Sequence, residues 1–297
     1  MKRSCFIIAL LMLAMSVTSC GANNIGTANT PSPLSNTSKQ SIRQTEVGRG
    51  NFRVLNTNLD QAYYKNAIGK TGEDLKEALH QIIKNQTVLE YDDAWEALGD
   101  TDEDPNNSNN VLLLYAGRSE SKANHGSNSG QWNREHVWAQ HHGNFGRTRG
   151  IGSDLHNLKP EDVIVNRDRG HLDFDKTETQ KSGENKYPNA PDTFKDGDSW
   201  EPRDEVKGDI ARIFLYMDTR YGAGDQMDLK VVNRTTEHDG TAPVHGKLAT
   251  LLKWHNEDPV DAFEMRRNNV IYEKYQHNRN PFIDHPEWVA SIWGRNH

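Results

Sequence analysis

Residues 208–222, "GDIARIFLYMDTRYG", read as a helix that is apolar on nearly every side. Such a helix has no face suited to water, so the rest of the chain must enclose it in a core. Several enclosing pieces are legible. "TGEDLKEALHQIIKN" opens with Thr71 and Asp74 in capping spacing and sets Leu75, Ala78, Leu79, Ile82 and Ile83 on one face, which predicts an amphipathic helix. "YDDAWEALG" predicts a shorter helix stopped by Gly99. "DPVDAFEMRRNNVIYEKY" predicts a long one, with Asp258 as cap and Pro259 in the first turn. "NVLLLYAG", an apolar run between turn residues, predicts a buried strand. Helices outweigh a few short strands, so the expected fold class is α+β in one mainly helical domain.

The N-terminus stands apart from that domain. Lys2 and Arg3 precede the short apolar run "FIIALLMLAM", and "VTSC" ends at Cys20. This is the layout of a secretory signal over residues 1–19, too short to remain as a membrane-spanning helix. A cysteine at the cleavage point resembles a bacterial lipobox, so Cys20 is the expected site of lipid attachment and the membrane the expected anchor. The chain is then exported, either held as a lipoprotein on an outer membrane or cell surface or released. The other cysteine, Cys5, lies inside the signal, which leaves the mature protein without a disulfide.

Residues 20–50 are rich in Asn, Thr, Ser, Pro and Gly, a composition that cannot bury enough surface to order itself. They read as a flexible tether with a mean reach of about 30 Å. The globular part begins near Phe52, giving an expected catalytic domain over 51–297. Removing the signal takes Lys2 and Arg3 with it, so the net charge moves from −7 to −9, 33 basic groups against 42 acidic. An acidic chain is no general polyanion binder; cationic groups for nucleic acid would have to be gathered locally. The acidic stretch "DTDEDPNNSNN" has calcium-loop alternation at Asp100, Asp102 and Asp104, but Pro105 sits where the turn needs glycine and the closing glutamate is missing. It reads as a solvated turn.

The segment "QWNREHVWAQHHGNFG" sets Glu135 beside His136 between Trp132 and Trp138. Hydrolysis of a phosphodiester needs a base for the attacking water and a cation for the leaving oxygen. Glu135 can supply oxygen to a hard cation and His136 can act as the base. Downstream, "SDLHNLKPEDVIVNRDRGH" holds a short apolar alternation, then Pro160, Glu161 and Asp162 opening a helix that carries Asn166. A strand-loop-strand-helix order would return Asn166 to Glu135. Arg147 and Arg149 in the intervening loop are candidate phosphate clamps. Arg134, Arg167 and Arg169 are further candidates, with solvated or salt-bridged roles left open. Neighbours on a regular strand point to opposite faces, so Glu135 and His136 converge only if the strand ends or twists there. A zinc reading of His136, His141 and His142 lacks the H-E-x-x-H spacing. Trp132 and Trp138 read as core, and Asp154 and His156 as structural.

"WNREHVW" followed by "SDLHNLKPEDVIVNRDRG" resembles the bacterial endonuclease I family, whose site is a ββα-metal (His-Me finger) motif. The likeness extends over roughly residues 60–295, through "KGDIARIFLYMDTRYG" and "WHNEDPVDAFEMRRNNVIYEKYQHNRNPFIDHPE" among other stretches. It implies His136 as general base and Glu135 and Asn166 as ligands of one divalent cation, normally Mg2+, with Ca2+ or Mn2+ as alternatives. It implies an arginine, Arg149 or Arg147, on the phosphate, and products with 5′-phosphate ends; Arg134 and Arg169 are expected near substrate from their place in the sequence alone. Ala139 stands where the family's proline is expected, and His277 where glycine is more usual. The expected activity is a surface-tethered, monomeric endonuclease with little sequence specificity, cutting DNA with RNA left open. The alternatives are a non-catalytic binder on the same fold and a phosphodiesterase for small nucleotides.

Overall fold

The computed structural model describes residues 62–177 and 189–294, which fall within one compact unit, Phe52–His297. The expected signal, lipidated Cys20 and tether lie outside the described residues. Among the described residues no helix is long and apolar enough to cross a membrane.

In chain order the elements are α1 (Gly72–Ile83), α2 (Ala94–Thr101), β1 (Glu103–Asp104), β2 (Asn107–Leu112), β3 (Ser119–Ser121), β4 (Trp132–His136), β5 (Leu158–Asp162) and α3 (Val163–Arg169). Then come β6 (Asp173–Phe174), β7 (Phe194–Lys195), β8 (Ser199–Glu201), α4 (Lys207–Arg220), β9 (Lys230–Val232), β10 (Val244–Gly246), α5 (Leu248–Glu257), α6 (Ala262–Val270), α7 (Pro281–Asp284) and α8 (Glu287–Trp293). The mixture of helices and small sheets is α+β, as expected.

Helix α4 is the fully enclosed one: every residue from Lys207 to Arg220 is buried. Its apolar side chains join a core that includes Leu75 and Leu79 of α1, Trp138, and Leu251 and Trp254 of α5. Most of its charged residues survive burial by pairing, although Thr219 Oγ1 has no hydrogen-bond partner among the described residues. Arg212 grips Glu264 of α6 at 2.7 and 2.5 Å and donates to the Asp258 carbonyl at 2.9 Å. Loss of one member of such a buried pair typically costs about 3–5 kcal/mol.

Several boundaries differ from expectation. Asp258 does not cap α6; its carboxylate accepts from the Gly208 N–H at the start of α4, and Asp261 caps α6 by accepting from Glu264 N. Gly99 does not stop α2, which runs to Thr101. The strand predicted over "NVLLLYAG" starts at Asn107 and ends at Leu112, so Leu113, Leu114 and Tyr115 turn into the core after it. The acidic stretch is not simply a solvated turn. It forms a β1–β2 hairpin, and Asp102 is buried between Lys159 (2.9 Å) and Arg267 (3.0 Å), which hold its carboxyl below the usual carboxylate range against the cost of burial.

The site rests on β4, β5 and α3. The two strands are antiparallel, with Asn133 opposite Glu161, Glu135 opposite Lys159 and His136 opposite Leu158. Pro160, Glu161 and Asp162 belong to β5 rather than to the helix, a later start than predicted. Asp162 ends the strand and caps α3, its Oδ1 accepting from Ile164 N (2.8 Å) and Val165 N (3.1 Å). That cap turns the chain sharply, so α3 folds back across β4.

Candidate active site

A cavity of about 320 Å³ opens beside β4 and α3. Its wall includes Asn133, Arg134, Glu135 and His136 of β4, Arg147 of the following loop, and Asn166 of α3. Thus the glutamate, histidine and asparagine singled out in the sequence meet at one cavity. The geometric difficulty with neighbouring strand residues resolves because β4 ends at His136.

Strand alternation puts Asn133 and Glu135 on one side and Arg134 and His136 on the other. Asn166, in the first turn of α3, donates its Nδ2 to Asn133 Oδ1 at 2.7 Å. With its amide nitrogen so engaged, the Oδ1 of Asn166 is left as an acceptor. Glu135 is buried; its Oε1 accepts from Tyr115 Oη at 2.7 Å and faces Arg169 Nη1 at 3.4 Å. Burial pushes its carboxyl up to about 7, with Arg169 and then Tyr115 pulling the other way. A carboxylate in that state gains from a nearby cation.

His136 Nε2 lies 2.9 Å from the Gly152 carbonyl. A carbonyl only accepts, so Nε2 carries the proton and Nδ1 keeps its lone pair. Burial lowers this imidazole to about 4, so it is neutral near pH 7. Tyr91 stacks parallel to the ring (centroids 5.7 Å, planes 5° apart) and Phe145 meets it at 5.9 Å. These contacts fix the plane in which Nδ1 points.

The five arginines separate by environment. Arg134 is clamped flat between Tyr91 (3.6 Å to the ring centre) and Trp95 (3.9 Å), and donates to the Tyr91 carbonyl at 2.6 Å. It still lines the cavity. Arg147 also lines it, exposed, 5.2 Å from the Tyr91 ring. Arg149 points away, paired with Glu90 at 2.8 Å and bonded to the Val88 carbonyl. Arg167 is exposed and pairs with its neighbour Asp168. For Arg169 the expectation of a substrate contact is corrected: it is 1% exposed and donates to the carbonyls of His136 (3.2 Å) and Val137 (2.7 Å). Its guanidinium braces the end of β4 from inside.

Asn133, Tyr115, Tyr91 and Gly152 were not foreseen. Asn133 had a usable signal, since it precedes Glu135 by two on a strand and so shares its face. The others come from distant parts of the chain and carry no local signal. Asp154 is structural as expected, accepting from Tyr216 Oη (2.9 Å) and Tyr221 Oη (2.8 Å). Trp132 and Trp138 are fully buried core.

A second group that could hold a metal lies deeper, where ligand atoms of His142, Asp173 and His245 fall within 4.8 Å of one another. Asp173 and His245 are already engaged, whereas His142 Nδ1 is buried without a hydrogen-bond partner among the described residues. Asp173 Oδ1 takes His245 Nδ1 (2.7 Å), Thr236 Oγ1 (2.8 Å) and Gly246 N (2.8 Å), and Arg169 Nη2 sits 3.4 Å from His245 Nε2.

The sequence is 56% identical over 234 residues to an extracellular ribonuclease of Bacillus amyloliquefaciens, covering 78% of each chain. It is 55% identical over 232 residues to an extracellular ribonuclease of Bacillus subtilis (strain 168), again 78% of each chain. An extracellular deoxyribonuclease of Aeromonas hydrophila shares 33% identity over 140 residues, 47% of this chain and 51% of that one. The protein is a nuclease, which removes the non-catalytic alternative. Residues 71–287 match Endonuclease I, and the chain belongs to that family.

Proposed function

We propose that the protein is an exported, metal-dependent endonuclease that hydrolyses phosphodiester bonds of both DNA and RNA with little sequence specificity. The carrying observation is the pairing of His136 Nε2 with the Gly152 carbonyl at the cavity that Glu135 and Asn166 also line. In this reading β4, β5 and α3 are a ββα-metal motif, and His136 Nδ1 takes the proton of the attacking water. Glu135 and Asn166 hold the cation. Their donors are oxygens, which suits Mg2+ first and Ca2+ or Mn2+ next, and the raised carboxyl of Glu135 favours a positive neighbour. A bound cation of this kind stabilises charge on the phosphoryl and leaving oxygens. Arg147, exposed on the same wall, contacts the phosphate, and products keep the phosphate on the 5′ end.

Both sugars are included because the relatives at 56% and 55% identity are named ribonucleases while one at 33% is named a deoxyribonuclease. Those relatives are also extracellular, which agrees with the signal-like residues 1–19; acylation at Cys20 rests on its place at the end of that signal alone. The test is cleavage of supercoiled plasmid and of single-stranded RNA with Mg2+, with and without EDTA. His136→Ala should lower the rate by about 10²–10⁴. A variant cutting at the parent's rate would remove the assignment.

A further inference from the structure

Two histidines on the wall of the cavity have no part in the chemistry above. His141 follows β4 and His171 follows α3, and both line the cavity wall. Their rings lie 4.1 Å apart, centroid to centroid, with planes at 32°. The two segments are tied together, because His142 Nε2 meets the backbone carbonyl of His171 at 2.8 Å. His142 is buried, so this tie anchors the pair from below. His171 is exposed and His141 half-buried, and among the described residues neither ring nitrogen pair has a hydrogen-bond partner. The charged groups nearest His171 are Arg169, Asp173 and Glu237, and burial with the adjacent His141 lowers its imidazole. Two imidazoles so close offer nitrogen donors that one metal ion can share.

We infer that His141 and His171 form a bis-imidazole site for a borderline divalent transition cation of the zinc–copper class, distinct from the oxygen site of Glu135 and Asn166. Two nitrogens about 2.0–2.1 Å from one tetrahedral ion stand about 3.3 Å apart; the rings lie nearly face to face, so binding requires at least one of them to rotate until their in-plane lone pairs converge. Imidazole prefers zinc and copper where carboxylate and amide oxygens prefer magnesium, and affinity climbs along the first row to copper. The buried His142–Asp173–His245 group is the poorer host: His142 Nδ1 is unpartnered there, but Arg169 sets a positive charge against the group and Asp173 and His245 are bonded to each other. An ion at the pair sits on the wall of the same cavity, where it obstructs a bound phosphodiester and slows Mg2+-supported cleavage. That consequence, unlike the binding, rests on the proposed nuclease site.

The test uses full-length mature protein without a histidine tag, in millimolar Mg2+ so that the oxygen site is competed. Zn2+ binding is measured by calorimetry, and Cu2+ binding by its visible absorption. The parent should bind one ion at this site, and His141→Gln and His171→Asn should each weaken it at least tenfold. Glu135→Gln should leave it within threefold. Zn2+ inhibition, scored against each variant's own Mg2+ rate, should weaken in parallel with binding. Circular dichroism confirms that each variant folds. Unchanged affinity in both histidine variants overturns the site, as does loss of binding in Glu135→Gln. Normal metal binding in a protein that never cuts nucleic acid would sink the nuclease assignment and leave this site standing.

Discussion

Asn133 Oδ1 receives the amide nitrogen of Asn166 at 2.7 Å, so a strand residue two before Glu135 sets which way the helix asparagine faces. A freely rotating amide would offer nitrogen to a cation half the time. Asn133→Ala should therefore leave the fold intact but raise the half-saturating Mg2+ by about 10- to 100-fold, the usual effect of losing an orienting partner. Titrating Mg2+ in a plasmid-nicking assay reads this. An unchanged curve would mean that Asn166 is not a ligand, or that its orientation is irrelevant.

The pH dependence should belong to Glu135. Burial raises its carboxyl to about 7, so below that pH a proton occupies the group and a cation must displace it. Mg2+ affinity should fall by about tenfold for each pH unit below 7. His136 is lowered to about 4 by burial and stays neutral through this range, so it adds no acid limb above that value. Half-saturating Mg2+ measured at pH 8, 7 and 6 distinguishes the two groups. A flat profile would remove Glu135 as the ligand.

Of the two loop arginines, Arg147 lines the cavity and Arg149 is engaged with Glu90 and Val88. Arg147→Ala should lower kcat/KM by about 10- to 100-fold, the worth of one charged hydrogen bond, and flatten the salt dependence of binding by about one power. Arg149→Ala should change either quantity by less than threefold. Equal losses in both variants would contradict the division.

His156 is buried against Tyr216, its imidazole lowered to about 4 by burial. A group with a depressed pKa of this kind stabilises the fold above its unfolded value of about 6.5, and that advantage fades as pH falls toward 4. His156→Asn should thus cost most at pH 8. The difference from the parent should shrink by up to about 1.4 kcal/mol per pH unit below 6.5. Urea denaturation of both proteins at pH 8, 6 and 5 checks it. A constant difference would mean that the imidazole is charged in the folded state.

Much of the scaffold was legible because periodicity is local. The apolar stripe of Leu75, Leu79 and Ile83 appears where expected, and the helix expected to be enclosed over residues 208–222 is buried on every side from Lys207 to Arg220, charged residues included. Element ends were less legible. Asp258, Asp261 and Asp162 are all credible caps by type, and only the packing of α4, α6 and β5 decides which N–H groups each receives.

The sequence by itself determined the chemical inventory: a base, an acid and an amide in an order able to meet, in a chain built around one enclosed helix. Tertiary structure decided their use. It chose the basic nitrogen of His136 through the Gly152 carbonyl, assigned Arg147 to the cavity and Arg169 to the interior, and brought Asn133 against Asn166. These outcomes depend on contacts between segments far apart in the chain. No local spacing encodes them, because they arise only when the enclosed core fixes where each segment lies.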